Sequence, residues 1–138
     1  MKQSSLFDAI APIMIGPSSS HTAGAVRLGL LAKNIFDDEL KKVTFKLYNS
    51  YAQTGFGHGT DKGLLAGVLG FSVDDKRIKN VFNLPEVQKI QYNFEYLEDF
   101  NRHPNAVDFI FENYCRKNFS KKYSLTKHFS CSITLFII

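Results

Sequence analysis

Between Thr22 and Phe36, apolar side chains recur at Val26, Leu30, Leu31 and Ile35, the spacing of a helix buried along one stripe. Thr22 or Ser20 stands where an N-cap would. The period then changes. From Lys42 to Tyr48, Val43, Phe45 and Leu47 alternate with Lys42, Thr44, Lys46 and Tyr48, which predicts a half-buried strand. A Gly-rich stretch, TGFGHGTDKG over residues 54–63, precedes LLAGVLGF, a short helix that Thr60 or Asp61 could cap. Gly63 and Gly67 weaken that helix but would let it pack closely against a neighbour. Downstream, turn signals surround a strand-like KIQYNFEYL, and NRHPNAVDFIF reads as a turn entering another strand. The order of helix, strand, loop, helix and strands predicts an α+β fold with a mixed or antiparallel sheet and packed helices.

Composition narrows the class. The chain has 138 residues, 44% of them hydrophobic and 22% charged, as in a globular domain. No apolar run reaches the ~20 residues of a membrane helix, and the first residues lack the apolar core of a signal peptide, so the expected address is cytoplasmic. The formal charge of +4 is misleading as a whole-chain number. Acidic and basic side chains balance up to Asp108, and the excess comes from Arg116, Lys117, Lys121, Lys122 and Lys127. Without a groove-reading motif this does not indicate a nucleic-acid binder.

Chemistry concentrates in the two loops. All nine glycines lie at or before Gly70, and both GPSSSHT (residues 16–22) and GFGHGT (residues 55–60) join glycine, hydroxyl side chains and a histidine just ahead of a helix. Helix N-termini hold free amide donors and partial positive charge, so such a loop can seat a carboxylate or phosphate. The residue-level reading leaves two options. Ser18, Ser19, Ser20 and Thr22 either cap a helix or orient a ligand, and His21 and His58 are either structural or proton-handling. His21, His58, His103 and His128 lack metal-site spacing, and Cys115 and Cys131 form no CxxC pair, so no metal is expected on this chain. The second loop also fails the dinucleotide fingerprint.

GPSSSHTAGAVRLG, TGFGHGTDKGLLAGVLGF and HPNAV together resemble the beta chain, or beta domain, of bacterial iron-sulfur-dependent L-serine dehydratase (L-serine ammonia-lyase). The resemblance implies an allosteric substrate-binding-like fold and conversion of L-serine to pyruvate and ammonia. It implies an alpha-chain partner whose cysteines hold a 4Fe-4S cluster, the open iron taking the substrate hydroxyl. Carried over by position, it assigns catalytic roles to His21, His58 and Thr60, and substrate contacts to Ser18, Ser19, Ser20 and Thr22. The family more often has glycine near Asn49. Related domains also serve as non-catalytic amino acid or carboxylate regulatory modules, which is the alternative function.

The resemblance covers residues 1–108. Residues 109–138 hold both cysteines, lack Gly, Ala, Pro and Asp, and end in the apolar SITLFII. They are read as a non-family tail, with the ACT-type module absent and the fold incomplete at the C-terminus, as a truncation or frameshift would leave it. A non-functional fragment is therefore a further alternative.

Overall fold

The computed structural model describes residues 19–55, 59–115 and 127–136. In chain order the elements are α1 (Ser19–Phe36), β1 (Lys42–Tyr48), α2 (Ser50–Thr54) and α3 (Thr60–Val68). A 3-10 helix (Lys76–Asn83) and the single turn α4 (Pro85–Gln88) follow, then β2 (Gln91–Leu97), β3 (Ala106–Cys115) and β4 (Lys127–Phe136). The four strands form one sheet in the order β2-β1-β3-β4. β1 runs parallel to β2 and antiparallel to β3, and β3 runs antiparallel to β4. The α+β class and mixed sheet expected from the pattern are therefore observed. β3 continues through Asp108 to Cys115, and Ser132–Phe136 of the apolar terminus lie opposite Ile110–Ala106.

One face of the sheet carries Val43, Phe45 and Leu47 with Val107, Phe109 and Phe111, all buried. Phe36 at the end of α1 stacks on Phe111 with ring centroids 4.6 Å apart, and Phe45 stacks on Phe94 at 4.7 Å. The other face is polar. Thr44 and Tyr48 were expected to point to solvent on it, yet both are buried, because β1 is an inner strand and side chains from its neighbours close over it. Lys42 reaches Glu112 at 3.1 Å, and Asp108 accepts hydrogen bonds from Tyr48 Oη (2.9 Å), Arg102 Nη1 (2.8 Å) and Thr134 Oγ1 (2.6 Å).

The buried stripe of α1 differs from the one its large side chains suggest. Ala25, Val26, Leu28 and Ala32 are buried, whereas Leu31 and Ile35 remain 48% and 55% exposed. The reason lies in the seam with α3. A Cβ added to Gly29 would stand 2.8 Å from Gly67 Cα, one on Gly63 would stand 2.7 Å from Thr22 O, and one on Gly67 would meet Val26 O. The two backbones touch, so small residues set which side of α1 faces inward. The close packing expected of Gly63 and Gly67 is realised here. The contacts advance together along both helices, from Thr22 against Gly63 to Lys33 against Gly70, so α1 and α3 run parallel with their N-termini at the same end.

Candidate functional site

Those two N-termini bring the predicted loops together. Gly59 precedes α3 in the left-handed region (φ 77°), and a Cβ there would stand 3.0 Å from Thr22 Oγ1 in the first turns of α1. Two parallel helix starts thus turn same-sign dipole ends to one region, while at α3 the Asp61 amide donates to Gly55 O (3.5 Å) and the Lys62 amide to Asp61 Oδ1 (2.8 Å). Negative charge is favoured at such ends, and Asp61 in the first turn of α3 already places one carboxylate there.

Thr60 is the first residue of α3, not its cap, and Gly59 in the capping position has no side chain to offer. The Thr60 side chain is fully buried, and among the described residues its Oγ1 has no hydrogen-bond partner. Such a group costs roughly 1–3 kcal/mol of desolvation unless something bonds to it. The capping role expected for Thr60 is therefore replaced by an unsatisfied hydroxyl.

Asp61, read from sequence only as a possible cap, is 8% exposed and turns its Oδ1 back on the Lys62 amide at 2.8 Å. Burial raises its pKa, while the Lys62 amide and the Lys62 charge act in the opposite direction. Tyr96 on β2 also has a raised pKa, from burial first and the Asp61 charge second. Asp61 and Tyr96 join the region without a clear sequence signal, because one lies in a loop motif whose histidine draws attention and the other lies on a strand remote in sequence.

Ser19, Ser20 and His21 belong to the first turn of α1, inside the helix instead of the preceding loop. Ser18 and His58 lie outside the described residues. Thr22, half-buried, lies against Gly59, the residue before Thr60, and Thr22 and Thr60 are the predicted site residues whose burial the structure describes.

A second tier fixes the α2 segment that leads into this region. One helical turn cannot hold itself, and the first amides of α2 are satisfied from outside: Ser50 N and Tyr51 N donate to Pro104 O at 2.9 and 3.4 Å. Asn49 carries φ 51° and ψ −112°, a backbone conformation suited to glycine, in keeping with the glycine more often found near this position. Its side chain donates to Asp99 O (2.8 Å) and accepts from Asp99 N (2.9 Å). The turn carrying HPNAV is therefore fastened to the start of α2.

Among the described residues, no group of three or more His, Cys, Asp and Glu side chains could hold a metal ion. No helix among them is long and apolar enough to cross a membrane.

Residues 5–128 match the family model described as serine dehydratase beta chain. The chain is 44% identical over 107 residues to the probable L-serine dehydratase, beta chain, of Bacillus subtilis (strain 168), covering 78% of this chain and 49% of that protein. It is 45% identical over 113 residues to the L-serine dehydratase, beta chain, of Peptoniphilus asaccharolyticus, covering 80% and 50% respectively. It is 35% identical over 105 residues to L-serine dehydratase 2 of Escherichia coli (strain K12), covering 72% of this chain and 20% of that protein. The chain spans about half the length of the beta chains it matches.

Proposed function

The chain belongs to the serine dehydratase beta chain family, and from that premise we propose that it is the beta subunit of an L-serine ammonia-lyase, acting with an alpha chain to convert L-serine to pyruvate and ammonia. The observation that carries this reading is the unsatisfied hydroxyl of Thr60 at the start of α3, where the preceding Gly59 lies against Thr22 of α1. A substrate carboxylate supplies the missing acceptor and the negative charge that both helix ends favour. The cluster and its Lewis-acid chemistry are assigned to the alpha chain, as the family resemblance implies.

What this chain contributes is binding and proton handling. Thr60 Oγ1 holds the carboxylate at the positive ends of α1 and α3, assisted by Ser18, Ser19, Ser20 and Thr22. Imidazole is the side-chain type that moves protons near neutrality, and His21 and His58 supply two of them. Eliminating water across Cα–Cβ needs a base for the α-proton and an acid for the departing oxygen, and two imidazoles can share those tasks.

The test is assembly under anaerobic conditions with an alpha chain carrying its cluster. Serine-dependent pyruvate is expected only when both chains are present, and Thr60→Val is expected to lower kcat/KM about 10- to 100-fold, the loss of a hydrogen bond to a charged group. Absence of pyruvate with a competent alpha chain overturns the enzyme reading. If serine binds the chain alone and Thr60→Val weakens that binding without touching turnover, the regulatory-module reading replaces it.

A further inference from the structure

A second feature runs along the outer edge of the sheet. β2 is an edge strand, and among the described residues it pairs only with β1. Gln91 N donates to Lys41 O at 2.9 Å and Leu97 O accepts from Asn49 N at 3.0 Å. Strand groups alternate in direction, so Gln91, Asn93, Glu95 and Leu97 turn their amides and carbonyls toward β1, while Tyr92, Phe94 and Tyr96 turn theirs outward. Edge strands are ordinarily guarded by proline, by charged side chains, by a bulge or by brevity, and the one charge on β2, Glu95, is paired with Lys46 of β1 at 3.7 Å. β2 has no proline, lysine or bulge over its seven residues, and Tyr92, Tyr96 and Leu97 stand 38%, 43% and 36% exposed along it.

We infer that β2 is a self-association edge, pairing antiparallel with β2 of a second copy of this chain about a two-fold axis at Phe94. The register follows from parity and charge. Only even-numbered residues have free outward groups, so the axis can lie at residue 93, 94 or 95. An axis at Glu95 sets two carboxylates directly opposite each other at the close, non-hydrogen-bonded spacing of ~4.5 Å. An axis at Asn93 leaves Tyr96 opposite residue 90, beyond the end of the strand. The axis at Phe94 places Tyr92 opposite the second copy's Tyr96, Phe94 opposite itself, and Asn93 opposite the second copy's Glu95. Every outward amide and carbonyl of the three even residues is then satisfied, no like charges face each other, and the two tyrosines form cross-strand aromatic pairs. A symmetric dimer closes on itself and removes the exposed edge.

The test uses the full chain, by sedimentation velocity across a concentration series, with charge changes at the exposed Asn93. The wild-type chain is expected to reach twice its 15.7 kDa mass. Asn93→Lys gains an opposite charge across each of two symmetric pairs and tightens the dimer, while Asn93→Glu sets carboxylates opposite one another and weakens it, by on the order of tenfold in each direction. Tyr92→Pro, which removes an outward amide and leaves the β1 ladder intact, is expected to be monomeric with an unchanged circular dichroism spectrum. Should Tyr92→Pro fail to fold, the opposed Asn93 pair decides alone. A monomer at every concentration, or a dimer indifferent to both charges at residue 93, overturns the inference. So does a chain that is monomeric alone and whose β2 amides become protected only when an alpha chain is added, since the edge would then belong to that partner.

Discussion

A buried hydroxyl without a partner is a stability cost that serves no purpose inside the isolated chain, which makes Thr60 separable from a structural threonine. Valine has nearly the same shape and no oxygen to desolvate. Thr60→Val is therefore expected to leave the urea midpoint unchanged or raise stability by up to about 1 kcal/mol, while the assembled enzyme loses activity. A structural hydrogen bond would give the opposite stability sign. Asp61 next to it gives a pH signature. Its folded pKa is raised above the ordinary 3.8, chiefly by burial, so the native state holds the proton more tightly than the unfolded chain. That contribution is fully present below pH 3.8 and is lost as pH rises through the folded value, leaving a buried carboxylate that opposes folding at neutrality. Asp61→Asn is expected to abolish this decline and to be more stable than wild type at neutral pH, measured as urea midpoints from below pH 3.8 upward. If its midpoints track those of wild type throughout, burial is not what governs Asp61. The motif led directly to Thr60. It could not reveal that Asp61 is buried, because burial depends on what Tyr96 and α1 bring from elsewhere in the chain.

At the scale of elements, the contact between α1 and α3 decides both the core and the alignment of the two N-termini. Periodicity located α1 well, yet it took Leu31 and Ile35 for the inner face because it weighs side chains by size. Close helix approach rewards the opposite property, and the glycines of both helices overrule the leucines. The prediction at this scale is Gly67→Ala. Alanine gains helix propensity of about 1 kcal/mol over glycine, but its Cβ would drive into Val26 O, a backbone atom that cannot rotate aside. Overpacking of this kind costs about 1–3 kcal/mol, so net destabilisation is expected on thermal or chemical unfolding. In the proposed assembly with an alpha chain, activity should fall further than stability alone accounts for, since parting the helices also parts Thr22 from Gly59. Leu31→Ala, on the exposed face, should shift stability by no more than about 0.5 kcal/mol. Comparable losses at both positions would mean that the seam does not hold the helices in place.

For the molecule as a whole, strand order is what carries α1, α3, α2 and the HPNAV turn to one end, and strand order was the least legible feature. Alternation along β1 announced a strand but said nothing of its inner position between a parallel and an antiparallel neighbour, which is why Thr44 and Tyr48 proved buried. Asp108 marks how these parts are joined: its carboxylate ties β1 through Tyr48, β4 through Thr134 and the β2–β3 turn through Arg102, whose guanidinium also lies 4.4 Å over the Tyr48 ring. Arg102 is 37% exposed at its side chain and can turn to water if released, so its ion pair adds little. The Tyr48 hydroxyl is buried and cannot. Asp108→Ala is thus expected to cost about 2 kcal/mol, mostly as the stranded Tyr48 hydroxyl, and Tyr48→Phe in that background should restore part of the loss instead of adding to it. A double-mutant cycle in urea reads this coupling directly. Strict additivity would show that the strands are held by their ladders alone. Recovery by phenylalanine would show that one carboxylate keeps the turn, and through Pro104 and Asn49 the start of α2, in register with the sheet.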